Sequence, residues 1–134
     1  MVEPQMEYAI GAGRTASQTV EVFQFAAMNL RDVTMLHHMA MRLADRADSA
    51  RRHGEQENAR HFLRGAYEHE REAALTCPVT FQPSRAILMR SAACLGKEAG
   101  LVDAAEALVR QALAEPGVPT EIAEELRAVL VRPR

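Results

Sequence analysis

Apolar residues recur at intervals of three and four through most of the chain, the period of a helix buried along one face. The first clear stripe is Val33, Leu36, Ala40, Leu43, Ala47 and Ala50, with Asn29 or Asp32 placed to cap its start. It stops at Arg51, Arg52, His53 and Gly54, where cations fill the last turn and glycine follows. A second stripe, Ala59, Phe62, Leu63, Ala66, Tyr67 and Ala73 or Ala74, opens after Glu55 and Glu57 and is bounded by Pro78. The third begins at Pro83 or Ser84, carries Ala86, Ile87, Met89, Ala93 and Cys94, and ends at Gly100. A fourth occupies residues 102–114 and is closed by Pro116 and Gly117, and a fifth starts near Pro119 with Thr120 as its cap and Ile122, Leu126, Val129 and Leu130 on one face. Five helices joined by loops of about two to eight residues predict an all-α architecture of antiparallel helical hairpins.

The start of the chain lacks this order. Residues 1–17 contain Pro4, Gly11 and Gly13 without a sustained period, which predicts a flexible N-terminal arm before a single domain over residues 18–132. The run Val20, Val22, Phe23 and Phe25 fits a short strand or a helix start; with no second strand to pair with, it reads as a helical or extended packing segment. Such a segment would cover the exposed edge of the first hairpin, within one chain or by exchange in a homodimer.

Composition narrows the partners. At 134 residues the chain is one domain's worth of protein, and 48% apolar with only 4% aromatic residues and 24 alanines suits closely packed helices. A formal charge of −2 gives no footprint for nucleic acid or an anionic membrane. No basic start leads into an apolar run and no 18-residue apolar window occurs, so the expected location is the cytoplasm. Cys77 and Cys94 are expected as free thiols there.

The chain also repeats itself. Placing Gly54 on Gly100, an offset of 46, superimposes Leu43 on Met89, Ala47 on Ala93, Ala59 on Ala105, Leu63 on Val109 and Ala66 on Ala112. Both halves read helix, glycine turn, helix. The order Ala93, Gly100, Ala105, Val109, Ala112 and Pro116 resembles the helical hairpin of the tetratricopeptide (TPR) family. The run from Pro83 through Arg90-Ser91-Ala92-Ala93 to Pro119-Thr120-Glu121-Ile122 is similar to a group of small bacterial TPR-like proteins. Two features depart from the pattern: the offset exceeds the family's period of about 34, and Leu43 and Met89 stand where an aromatic belongs.

The resemblance implies a non-enzymatic scaffold that binds another protein, without cofactor or metal. Stacked as TPR units are, the hairpins would turn Arg51, Arg52, Arg90 and Lys97 toward one concave side, a positive groove for an acidic segment or a C-terminal carboxylate. The rival reading of these cations is structural: the dipole accounts for Arg51 and Arg52, and an ion pair with a neighbouring helix would account for Arg90.

Two further constellations bear on chemistry. Arg31, Asp32 and His37 have the spacing of the RNA-cleaving HEPN bundles, which makes a small all-α ribonuclease or toxin-system component the enzymatic alternative. That family carries its motif late in the bundle, and here it is early. Met35, His37, His38, Met39 and Met41 offer thioethers and imidazoles suited to copper(I), but on a helix they divide between faces, and core packing is the simpler expectation. His53, His61 and His69 read as solvated positions beside pairs such as Arg64 with Glu68.

Overall fold

The computed structural model describes residues 16–131, with side chains described from Leu30 onward. Five helices follow one another: α1 (Ala16–Arg52), α2 (Gln56–Thr76), α3 (Ser84–Glu98), α4 (Val102–Ala114) and α5 (Thr120–Val129). Among the described residues there is no strand. Each helix packs on the next, and α3 also meets α5, so the chain forms the hairpins α1/α2 and α3/α4 with α5 closing over the second. The antiparallel sense of the first hairpin is set by its contacts. Val33 clusters with Ala73 and Cys77, His37 reaches Glu70, and Leu43 lies over Gly65.

Alanine decides how closely these helices approach. Ala47, Ala66, Ala93 and Ala112 have no exposed surface, and Met89, Val109 and Leu126 fill the space that remains. A glycine does the same job at one crossing. A Cβ on Gly96 would lie 2.8 Å from the ring of Tyr67, itself buried, so only glycine lets α3 pass over that ring.

The internal repeat is present bond for bond. Helix α1 ends with Gly54 at φ +75°, and α3 ends with Gly100 at φ +84°. Around the first, Glu55 N–H donates to the Ala50 carbonyl at 2.9 Å and Gly54 N–H to Arg51 at 3.1 Å; around the second, Leu101 donates to Gly96 at 2.8 Å and Gly100 to Lys97 at 3.1 Å. Both are Schellman turns, in which a left-handed residue lets two orphan carbonyls of the helix end be satisfied.

Two boundaries differ from the sequence reading. The first helix starts at Ala16 instead of Asn29 or Asp32, and residues 20–25 are helical in backbone. No glycine or proline stands between Gly13 and Gly54, and the β-branched residues near the start lower helix propensity by only tenths of a kcal/mol each. A capping residue without a breaker before it does not begin a helix. Thr120 likewise is the first residue of α5 and not its cap; Pro119 holds the cap position, and no side chain bonds there. The expected arm, apart from residues 16 and 17, and the side-chain packing of residues 20–25 lie outside the described residues.

Gly54→Ala and Gly100→Ala should each lower unfolding free energy by about 1 kcal/mol. Nothing lies within 4 Å of a Cβ at either position, so the effect is purely conformational, and urea titration should give similar losses at both turns.

Candidate functional site

Helical spacing places Arg90, Cys94, Lys97 and Glu98 along one face of α3. This face looks onto Glu125, Ala128 and Val129 of α5 across a shallow open groove. Arg90 donates through Nη1 to Glu125, an ion pair whose carboxylate is more than half exposed. Lys97 donates from Nζ to the carbonyls of Val129 at 3.0 Å and Val131 at 2.6 Å, closing the end of α5. Arg51 comes from the end of α1, 3.9 Å from Glu98 and 3.7 Å from Asp48. Arg52 is exposed and makes no ion pair within 4 Å among the described residues. Two of the four cations picked out in the sequence, Arg90 and Lys97, thus line this groove and a third, Arg51, stands beside it at Glu98; each of the three is engaged within the chain.

Cys94 is exposed in this groove and Cys77 is buried, and neither is in a disulfide. Both thiols sit above the usual pKa. Burial pushes Cys77 up, with the Arg85 guanidinium opposing. Partial burial does the same at Cys94, against the opposing pull of Arg90.

Two buried polar nodes were not picked out in the sequence. Glu70 has no exposed surface; its carboxylate accepts from His37 Nδ1 at 2.8 and 3.0 Å and from the Ser91 hydroxyl at 2.6 Å. Arg85 is 5% exposed and donates from Nε and Nη2 to Glu115 at 2.8 and 2.6 Å, and from Nη1 to the Cys77 and Ala74 carbonyls at 2.8 and 3.3 Å. A signal for both exists in the sequence. Glu70 interrupts the apolar stripe of α2 between Ala66 and Ala73, and Arg85 continues the stripe of α3 one turn before Met89.

Helix α1 divides the methionine and histidine cluster between its two sides. His37 is held by Glu70 and Met41 packs on the core, whereas Met35, His38 and Met39 line an outward groove with Leu30, Arg31, Thr34 and Arg42. Arg31 and His37, the pair required by the ribonuclease alternative, therefore diverge by about 120° around the helix. The other histidines are local: His53 donates to the Ser49 carbonyl at 2.7 Å, His69 to Gly65 at 2.8 Å, and the His61 ring lies 6.0 Å from that of Phe62, tilted by 55°. Arg64 and Glu68 are both exposed and form no pair within 4 Å; the i,i+4 pair that does form is Arg110 with Glu106 at 3.4 Å. Among the described residues, no group of three or more His, Cys, Asp or Glu side chains is placed to hold a metal ion. No family model, no curated protein and no solved structure matches the chain.

Arg85→Ala should cost about 3 kcal/mol, because it removes a buried charge whose partners, the partly buried Glu115 carboxylate and the Cys77 and Ala74 carbonyls, are left without a donor. Arg90→Ala should cost under about 1 kcal/mol, since its partner is exposed. Denaturant midpoints separate the two. The thiols give a pH dependence with a definite sign: a folded pKa raised above the unfolded value favours the fold below about pH 8.5 and loses that contribution as pH rises beyond it. Stability should fall above that pH, and Cys77→Ala should flatten the fall.

Proposed function

We propose that the chain is a non-enzymatic protein-interaction domain of TPR-like type, working in the cytoplasm, with its partner seated in the groove between α3 and α5 beside the end of α1. The observation that carries this reading is an open groove lined by Arg90 and Lys97, with Arg51 beside it, 3.9 Å from the groove residue Glu98. Repetition supports it as well: Arg51 and Lys97 are 46 residues apart, the offset of the two Schellman turns, so equivalent positions of successive hairpins place one cation beside the groove and one in its lining. Two free thiols suit a reducing compartment, and no helix among the described residues is long and apolar enough to cross a membrane.

The internal contacts sort the cations by availability. Lys97 is committed to carbonyls at the end of α5, and displacing it would leave those acceptors open. Arg90 bonds a carboxylate that is more than half exposed, so an acidic side chain or terminal carboxylate of a partner can take the place of Glu125 with no buried group left unpaired. Arg51 has only long ion pairs and Arg52 has none among the described residues, and both can turn to a ligand. Arg51, Arg52 and Arg90 are the binding residues, and Lys97 positions the far wall.

The test starts from a partner captured in the native host, purified and titrated against the intact chain. Arg51→Ala with Arg52→Ala and Arg90→Ala should weaken Kd by about tenfold or more and flatten its salt dependence, while circular dichroism shows the fold retained. An unchanged Kd would remove the groove from the binding surface. Arg31→Ala, which leaves the His37–Glu70 contact intact, should leave affinity as it was.

A further inference from the structure

Helix α1 carries a second feature, distinct from the groove on α3. Met35 is 61% exposed and Met39 41% exposed, and among the described residues nothing covers them. His38 stands between them in the same shallow depression, exposed and without a hydrogen bond among the described residues. Positions i, i+3 and i+4 of a helix place Cβ atoms about 5–6 Å apart on one face, a gap that flexible methionine side chains close around a single ion.

We propose that this face binds a soft monovalent d10 cation, Cu(I) or its congener Ag(I), through the thioethers of Met35 and Met39 and the imidazole of His38. The donor set is two sulfurs and one nitrogen, all neutral, which favours a soft ion over a hard one. Among the described residues no carboxylate lines the depression. The Thr34 hydroxyl there is withdrawn, because it donates to the Leu30 carbonyl at 2.9 Å. Arg31 and Arg42 flank the three donors at either end of the depression, and their repulsion acts twice as strongly on a divalent ion as on a monovalent one. The rest of the methionine and histidine cluster is withheld from the ion: His37 is bound to Glu70 and Met41 to the core.

The exposed thiol of Cys94 would compete for the same ion, so the experiment uses the full chain carrying Cys94→Ser. Silver nitrate in chloride-free buffer is the probe, which needs no reductant. With methyl-13C methionine, the Met35 and Met39 methyl signals and the His38 ring should move together and saturate, while those of Met41 and the fully buried Met89 stay in place. Excess Zn(II) should not displace the ion. Met35→Leu with His38→Gln and Met39→Leu should weaken Ag(I) binding by about tenfold or more; the three sites are exposed and the replacements are good helix formers, and circular dichroism checks the fold. The buried Cys77 is common to parent and variant, so any silver it takes cancels between them. Equal affinity in parent and variant would sink the proposal. So would methyl shifts that follow chain concentration in the absence of silver, which would give this face to a second copy of the chain.

Discussion

A carboxylate set in the middle of an apolar stripe must find donors on whatever packs over it, and Glu70 finds them on two helices. His37 arrives from α1 and Ser91 from α3, so one side chain of α2 holds both of its neighbours. Removing an ion of this kind from water costs several kcal/mol, which only well-made hydrogen bonds offset. The bonds form in one register of α1 on α2. A slip by one turn would carry His37 about 5 Å along the axis and leave the carboxylate buried with a donor missing. Apolar packing between alanines is tolerant of such a slip; Glu70 is not. Arg85 fixes the next junction in the same way, tying the end of α2 and the start of α3 to Glu115 just beyond α4.

These two nodes also explain how a core so rich in alanine specifies one arrangement. Side chains as small as those of Ala47, Ala66, Ala93 and Ala112 interlock weakly, because a methyl group offers little shape to fit against. What they provide is close approach. Direction comes from the hydrogen bonds, which have preferred angles, and from Tyr67, whose ring occupies the notch left at Gly96.

The helices were legible in the sequence wherever a breaker marked their ends. The bounds of α4 were read correctly, since Gly100 and Pro116 enclose it, and the helix stops at Gly54 and Gly100 were read from the glycines, the first after a cationic last turn. The start of α1 was misread because Asn29 and Asp32 look like caps whether or not the chain is helical before them. The polar nodes were harder for a different reason. Their partners are 21 to 33 residues apart in the chain, and which acid meets which base depends on how helices cross, a property periodicity does not carry. The interruption of an apolar stripe by Glu70 was visible, but its partners were not. Arg90 shows the same division: its position inside a helix ruled out a dipole role, and an ion pair with another helix was weighed, yet only the packing of α5 on α3 supplies Glu125.

The two repeat-related cations reveal a rule that links the units. Arg51, near the end of α1, reaches forward to Glu98 on α3. Lys97, its equivalent near the end of α3, reaches forward to the end of α5. In each case a cation at the C-terminal end of a hairpin's first helix touches the corresponding helix of the next unit, so α1, α3 and α5 form a series connected by the same kind of contact. The acceptors differ: Lys97 meets the carbonyls of Val129 and Val131 at the end of α5, whereas α3 has satisfied its own terminal carbonyls through Gly100 and Leu101 and offers a carboxylate. The contact at the closed end is short and holds a helix terminus; the one at the open end is long and exposed. The α1 end of the groove therefore has the cations most free to leave their internal partners, which is where a ligand entering it would make its first new bonds.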